Sequence, residues 1–187
     1  KRQLQEGTAL RATLPDTVIY VFHGPGPGES REFLAHRLRP VLNTPEQLLR
    51  WRKTVGNAPP GTGQAALHVD TGMHRLGLSE TELDAADDPE ALVHHHRLCL
   101  LMSPLACAST PEHPLNAEQS ARFSLLRARF PMLPASLANS AGHFLDAAYH
   151  CDLGRPGCAL YGITPNAALP NPMAPIATLT APILQLR

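Results

Sequence analysis

Short runs of apolar residues recur along the chain and are separated by stretches rich in polar and charged side chains. Several of these runs are apolar almost throughout, which is typical of parallel strands that are covered on both faces. Their lengths suit strands better than helices. We predict strands at Thr17–Phe22, Arg39–Asn43, Ala65–Asp70, Leu98–Ser103, Ala135–Asn139 and Gly157–Gly162.

Signals for helix starts lie between these runs. The segment Thr44–Gln47 combines a capping residue, a proline suited to the first helical turn and a glutamine at capping-box spacing. Leu48, Trp51 and Val55 follow on one helical face. A further helix is predicted to begin at Ser79, with Glu82 as its capping-box partner. Two more are predicted, one that follows Asn116 and one that follows Ser140 and extends through Ala148.

Alternating strands and helices predict an α/β protein with a parallel sheet. The predicted units fit a partial (β/α)8 TIM-type barrel that lacks its first strands, because a complete barrel needs about 250 residues and the chain has 187. An open doubly wound sheet is the alternative, and periodicity alone does not separate the two. We assign residues 1–164 to the barrel, and 165–187 to a Pro-rich linker and first strand leading to a β domain outside the chain.

Composition narrows the classes of partner. The chain has 16 basic and 16 acidic residues without a basic stripe, so we expect no nucleic-acid partner. No apolar run approaches the ~18 residues of a membrane span, so we expect no membrane partner. The cysteines form no Cys-x-x-Cys pair, which favours reduced thiols and a cytoplasmic protein. They are Cys99, Cys107, Cys151 and Cys158.

Two loops could carry chemistry. In the first, Asp70 ends a predicted strand, Gly72 permits a tight turn, and Arg75 places a cation near the carboxyl end of that strand, where barrel active sites lie. In isolation such an arginine more often ties down a loop. In the second, Asn139 and Ser140 stand between a strand end and a predicted helix start, which suits a phosphate group. In isolation the second loop is more often an ordinary helix cap by Asn139 or Ser140.

The segments Val69–Gly77 and Gly154–Gly162 both resemble signature loops of the alanine racemases, pyridoxal-phosphate enzymes that interconvert L- and D-alanine. The resemblance implies that Arg75 contacts both the cofactor's phenolic oxygen and the substrate carboxylate. It implies that Arg155 faces the cofactor's pyridine nitrogen. The phosphate would be held by Asn139, Ser140 and the N–H groups of Gly157 and Cys158.

The match of Arg155 to the family's arginine has a consequence for the protonation of the cofactor's ring. A guanidinium stays protonated in proteins and can only donate, so the pyridine nitrogen would remain unprotonated and the ring would be a weaker electron sink. The alternative for Arg155 is a buried ion pair.

The chain departs from the family pattern at several positions. His68 replaces a lysine that many relatives carry in carbamylated form, Pro104 replaces a histidine, and Ser109 replaces an acidic residue. The lysines Lys1 and Lys53 do not match the lysine that binds the cofactor covalently. The catalytic tyrosine has no match either, so we assign no catalytic residue. Separately, we assign no metal ligand.

Weaker similarity extends from Glu6–Gly7 to Ile183–Arg187, so residues 1–187 resemble the middle of an alanine racemase. The resemblance implies racemisation of alanine through an imine with pyridoxal phosphate, supply of D-alanine for peptidoglycan, and a homodimer in the full-length protein. We expect these residues alone to be inactive. A non-catalytic or decayed homologue, or a racemase for another amino acid, remains the alternative.

Overall fold

The computed structural model describes residues 2–166, 170–183 and 185. Helices and strands alternate through most of the described chain, as the pattern of apolar runs predicts. In chain order they are α1 (Arg2–Thr13), β1 (Tyr20–Val21), α2 (Ser30–Ala35), β2 (Arg39–Leu42), α3 (Pro45–Val55), β3 (Ala65–His68), α4 (Glu80–Asp84), α5 (Pro89–His96), β4 (Leu98–Met102), α6 (Pro114–Arg129) and β5 (Ala135–Ser136).

The strands form one parallel sheet in the order β1-β2-β3-β4-β5. Each strand therefore pairs with the next one along the chain, and the order never reverses within the described residues. A doubly wound sheet reverses its strand order at a switch point, whereas a barrel adds its strands successively. The predicted α/β class with a parallel sheet is confirmed, and the order is that of a partial barrel.

Both faces of the sheet are buried. Neighbouring residues on a strand point to opposite faces, so Leu42 and Leu67 join a large core with the helices, while Val41 and Ala66 join a smaller cluster. In the large core the ring of Trp51 meets that of Phe33 edge to face, with centroids 6.4 Å apart. Burial on both faces explains why the strand sequences are apolar almost throughout.

The predicted starts of α3 and α4 are confirmed. The Thr44 hydroxyl accepts a hydrogen bond from the Gln47 backbone N–H at 3.3 Å. Ser79 and Glu82 form a complete capping box, since each side chain accepts from the other residue's backbone N–H. The predicted face of α3 is buried through Leu48, Trp51 and Val55.

The predicted start of α6 at Asn116 is wrong. The helix begins at Pro114, and the ring of His113 caps it by accepting from the Leu115 N–H at 3.2 Å. Asn116 lies inside the helix, buried, and its amide donates to the Thr110 and Pro111 carbonyls. Proline is favoured at a first helical position because it lacks an N–H to satisfy.

The predicted strand Gly157–Gly162 is also wrong. Cys158–Tyr161 is a 3-10 helix closed by Gly162 in the left-handed region, with φ of 79°. The chain meets the sheet edge earlier instead, where Arg155 bridges to Asn139. The glycines at both ends of this segment favour a turn, and its N–H groups find partners outside the sheet.

The helix predicted after Ser140 is replaced by two short 3-10 helices, Ala141–Phe144 and Ala147–Tyr149. Leu145 is extended between them, and Asp146 caps the second by accepting from the Ala148 N–H at 2.9 Å. This new cap satisfies a backbone donor locally and interrupts a continuous helix.

Beyond Thr164, residues 170–183 and 185 lie outside any helix or strand. The boundary at 164 and 165 therefore stays a prediction, as does the strand expected near the carboxyl end. The described part of the chain leaves out residues 167–169, 184, 186 and 187. Three of these belong to the segment Ile183–Arg187, where the sequence similarity was noted. In the part that is described, no helix has the length and apolar character that crossing a membrane requires.

Candidate functional site

A cavity of about 570 Å³ opens at the carboxyl ends of β3 and β4. Its lining contains two arginines and two histidines. A cavity of about 610 Å³ lies at the opposite end, beside the first residue of β4, and contains none of the predicted site residues. In barrels the carboxyl edge of the strands is the functional one, so the first cavity is the candidate site. Its polar lining residues are His23, His68, Arg75, Asn139 and Arg155.

The loop that carries Arg75 is organised by Asp70. The Asp70 carboxylate accepts hydrogen bonds from the N–H groups of Gly72, Met73 and His74 at 2.9 to 3.2 Å. Burial raises the pKa of Asp70, but these backbone donors outweigh burial and the net pKa is lowered. The carboxylate is thus ionised and engaged with the backbone, and the Arg75 guanidinium is left exposed at the cavity.

A buried amide joins this loop to the one after β4. Gln119 of α6 is fully buried and donates to the Thr71 hydroxyl at 3.2 Å and the Pro104 carbonyl at 2.9 Å. Its oxygen accepts from the Ala106 N–H at 2.8 Å. Our sequence analysis missed Gln119, although one signal was present: it stands four residues before Phe123 on the apolar face of the helix.

His68 is the last residue of β3 and is only 3% exposed. Its Nδ1 lies 2.6 Å from the Asn43 Oδ1. Asn43 uses its amide nitrogen on the carbonyls of Val41 and Phe22, so its oxygen faces the histidine as an acceptor. The His68 Nδ1 is therefore the protonated nitrogen. Its Nε2 is buried and has no hydrogen-bond partner among the described residues.

The charge state of His68 follows from its surroundings. Burial, with the nearby positive charges of Arg155 and Arg75, lowers its pKa to about 4, against a smaller opposite effect of Asp70. The imidazole is neutral near pH 7.

Arg155 is held at the wall of the cavity by neutral partners. Its guanidinium donates to the Ser136 hydroxyl, to the Ser103 carbonyl at 2.8 Å and to the Leu137 carbonyl at 3.2 Å. Burial lowers its pKa to about 10, which leaves it charged near neutral pH. A buried ion pair was the alternative for Arg155, and none of these three partners is a carboxylate.

A second cluster lies beside the cavity. The Ser140 hydroxyl oxygen accepts from the backbone N–H of Gly157 at 2.6 Å and of Ala159 at 3.4 Å. Cys158 stands between these two residues, and both Gly157 and Cys158 are exposed. Asn139 belongs to both places, because it lines the cavity and its side-chain oxygen accepts from the Gly142 N–H at 2.9 Å. The helix-cap alternative thus holds for Asn139 and not for Ser140.

The predicted site residues therefore fall into two adjoining groups. Arg75, Asn139 and Arg155 line one cavity, and Ser140, Gly157 and Cys158 form the neighbouring group of donors. One group offers fixed positive charge, and the other offers converging N–H donors. Together they suit a ligand with more than one anionic group.

Residues 2–165 match the protein family described as "Alanine racemase, N-terminal domain". The chain belongs to this family. The resemblance of the two signature loops to alanine racemases is thereby confirmed over most of the chain.

Individual alanine racemases give the same result. The chain is 48% identical to the alanine racemase of Rhodospirillum rubrum, over 99% of this chain and 50% of that protein. It is 46% identical to the catabolic alanine racemase of Mesorhizobium japonicum, over 98% of this chain and 48% of that protein. The chain spans about half the length of the curated relatives it matches.

Solved structures agree with the sequence relatives. The alanine racemase of Bartonella henselae, with covalently bound pyridoxal phosphate, superposes with a TM-score of 0.85 at 30% identity, over 92% of this chain and 50% of that one. The biosynthetic enzyme of Pseudomonas aeruginosa gives 0.76 at 32% identity, over 89% of this chain and 46% of that one. Both support a partial parallel α/β fold of the alanine racemase type.

The departures from the alanine racemase pattern occupy different places. Pro104 lines the cavity, and its carbonyl accepts a hydrogen bond from the Gln119 amide. Ser109 is exposed on the loop beyond it and is not part of the cavity lining. Of the two, only Pro104 can alter what the cavity contacts.

Proposed function

We propose that this chain forms the cofactor-holding part of an alanine racemase that binds pyridoxal 5'-phosphate and interconverts L- and D-alanine. The observation that carries the proposal is the pairing of a positively charged cavity at the strand ends with converging N–H donors beside it. The family to which the chain belongs supports the same reaction. Cytoplasmic location, a homodimer and supply of D-alanine for peptidoglycan are parts of this proposal.

The residues present fit the phosphate of the cofactor. The N–H groups of Gly157 and Ala159 already converge on one oxygen, that of Ser140, and a phosphate oxygen presents the same kind of acceptor. Gly157 has no Cβ to obstruct an approach, and the nearest atom to a Cβ built there is the Ser140 Oγ at 3.8 Å. The Cys158 N–H and the Asn139 amide would complete the set of donors.

The residues present also fit the ring. When bound, pyridoxal phosphate supplies an electron sink that makes the α-proton of an attached amino acid acidic. Arg155 would meet the pyridine nitrogen as a donor, because a guanidinium has no acceptor. It would thereby hold that nitrogen unprotonated and moderate the sink.

Arg75 would bind the substrate carboxylate and the phenolic oxygen of the cofactor. The Asp70 turn fixes the backbone that carries it, while its guanidinium remains available. No proton-transferring base is assigned to the chain. Lys53 lies on α3 beside a different cavity, and we expect residues 1–187 alone to be inactive.

Pro104 favours a second candidate function, a homologue that binds the cofactor without turnover. A proline in the cavity offers no proton and no aromatic face to the ring. A racemase for another amino acid stays open for a different reason, because the described residues assign only the carboxylate contact and leave the substrate side chain unassigned.

The test uses the protein in its natural length. We expect cofactor absorbance on addition of pyridoxal phosphate and D-alanine formation from L-alanine. Ser140→Ala should weaken cofactor binding about tenfold, the effect of losing roughly one hydrogen bond to a charged group. Ser124→Ala is the matched control, because that hydroxyl is exposed on α6 and bonds only the Ser120 carbonyl.

The outcomes separate the alternatives. Cofactor binding without turnover on any amino acid would select the non-catalytic homologue, and turnover of a different amino acid would revise the substrate. Absence of both binding and turnover would overturn the proposed function.

A further inference from the structure

Two backbone segments carry the donors of the proposed phosphate site. Residues 139–144 include Ser140, and residues 154–159 supply the N–H groups that bond its hydroxyl oxygen. A phosphate that accepts from those N–H groups would take them from Ser140, and this link between the segments would be lost. A backbone bond from the Arg155 N–H to the Ala138 carbonyl joins them only at the sheet edge. A contact nearer the donors would keep them converging when the ligand binds.

The side chain of His143 supplies such a contact. His143 lies on the first segment, and its N–H bonds the Asn139 carbonyl at 3.2 Å. Its ring packs directly on the backbone of Gly154 in the second segment, because a Cβ built on Gly154 would overlap the ring at Cε1 and Nε2. The φ of Gly154 is not positive, so its backbone conformation does not require a glycine. The absence of a Cβ is what admits the ring.

A second histidine holds the backbone of His143. The His150 Nε2 donates to the His143 carbonyl at 3.2 Å, and the two rings lie with their centroids 5.2 Å apart. The Nε2 of His143 itself is buried and has no hydrogen-bond partner in the part of the chain that the structure describes. This edge of the ring therefore acts on Gly154 through packing.

The groups around His143 keep its ring neutral near pH 7. Burial lowers its pKa, and the positive charges of His150 and Arg155 lower it further. Asp146, on the turn between the two 3-10 helices, uses its carboxylate on the Ala148 N–H. A proton on the Nε2 of the packed ring would be buried without an acceptor, which is costly.

We propose that His143 is a positioning residue, whose ring, seated on Gly154, holds the two segments together and keeps the Gly157 and Ala159 N–H groups directed at the phosphate of the cofactor. The inference rests on the proposed function, since it assigns the phosphate to these donors. His143 is not among the residues that line the cavity. Its loss should therefore lower the affinity for the cofactor and leave kcat of the loaded protein nearly unchanged.

Adding a Cβ at position 154 tests the contact in protein of natural length. Gly154→Ala should displace the ring and raise the Kd for pyridoxal phosphate about tenfold, as His143→Ala should by removing it. In His143→Ala the space for the Cβ is open, so adding Gly154→Ala there should change the Kd by less than about twofold. Gly56→Ala is the matched control, because Gly56 follows α3 outside the candidate site with a φ of −58°.

Pyridoxal, which lacks the phosphate, is the discriminating ligand. Both single variants should bind pyridoxal as wild type does, because Arg155 and Arg75 still line the cavity that receives its ring. A general loss of structure would weaken the binding of both ligands. Equal losses for the two ligands, or losses that add in the double variant, would overturn the inference.

The pH dependence of cofactor affinity tests the neutral ring. The seated imidazole takes up a proton less readily than a free one, so seating is favoured near neutral pH and opposed in acid. From about pH 7.5 to about pH 5.5 the affinity of wild type for pyridoxal phosphate should fall about threefold more than that of His143→Gln. The phosphate titrates equally in both measurements, so an equal fall would overturn the inference.

Urea unfolding without cofactor separates a failed contact from a failed function. Gly154→Ala should lower the urea midpoint of wild type and leave that of His143→Ala unchanged. A protein that binds no pyridoxal phosphate but shows this coupling would refute the proposed function and leave the contact between His143 and Gly154 standing. An equal effect of Gly154→Ala in both backgrounds would overturn the contact and with it the inference.

Discussion

Acid should destabilise the folded chain through one buried histidine. Burial, reinforced by Arg155 and Arg75 and opposed by Asp70, lowers the pKa of His68 from 6.5 to about 4. In the unfolded chain the same imidazole titrates near its ordinary value. The perturbation is a change of pH between these two pKa values. The quantity compared is the free energy of unfolding of wild type and of His68→Gln.

The sign follows from proton binding. Between about pH 4 and pH 6.5 the unfolded chain holds a proton on this ring that the folded chain does not, so the free energy of unfolding rises with pH. The stabilisation is complete above the unfolded pKa and is lost as pH falls towards the folded one. A shift of this size corresponds to about 3 kcal/mol at full effect, a large part of the roughly 5–15 kcal/mol of a typical domain.

The assay is urea unfolding of both proteins at about pH 7.5 and about pH 4.5. His96 and His143 also have pKa values lowered by burial, so both proteins should lose stability in acid. Wild type should lose about 2 to 3 kcal/mol more than His68→Gln, because only it can charge the ring. Equal losses, or a His68 titration near 6.5 by NMR, would refute the reasoning.

Two further substitutions test the loops around the cavity, with Leu125→Ala as an exposed control that should change stability by less than about 0.5 kcal/mol. Gln119→Leu should cost about 2–4 kcal/mol of unfolding free energy in urea, since it leaves the partly buried Ala106 N–H without an acceptor and the Pro104 carbonyl without a donor. A loss below that of the control would contradict these hydrogen bonds. Gly77→Ala should cost at least about 1 kcal/mol by the same assay, because φ is +104° and the new Cβ would lie 2.9 Å from the Asp70 nitrogen; unchanged stability would show that the turn relaxes freely.

The sheet could be predicted because its determinants are local. A strand covered on both faces needs apolar residues at successive positions, as in Ala65–His68 and Leu98–Met102, and the sequence displays such runs directly. The order of the strands, which separates a barrel from a doubly wound sheet, depends on pairings between distant segments. Periodicity carries no information about those pairings.

The strand predicted at Gly157–Gly162 shows where local reasoning stops. Its residues are compatible with a strand, but the Gly157 and Ala159 N–H groups find an acceptor in Ser140, 17 and 19 residues away. Which acceptor these N–H groups bond depends on the tertiary fold. The sequence of Gly157–Gly162 alone does not indicate that Ser140 is the acceptor. The same contact joins two residues that had been singled out separately as phosphate contacts.

The buried polar contacts around the cavity were the part of the site least accessible from sequence. His68 meets Asn43 across 25 residues, and Gln119 meets Thr71 across 48. Buried polar residues are costly unless they are satisfied, so a polar residue on an apolar face is the signal to look for. This signal indicates that the residue has a hydrogen-bond partner, but it does not identify the partner.

The charged groups around the cavity differ in how far their hydrogen-bonding capacity is already used. This difference determines which charge the cavity presents to a ligand. The ionised carboxylate of Asp70 is engaged by the N–H groups of its own turn, while the guanidinium of Arg155 is held by a hydroxyl and carbonyls that carry no opposite charge. Arg75 adds a second positive charge, and His68 is neutral near pH 7. Fixed positive charge in a partly enclosed cavity attracts anions more strongly than it would in water. This edge of the sheet therefore favours anionic ligands before any reacting group is added.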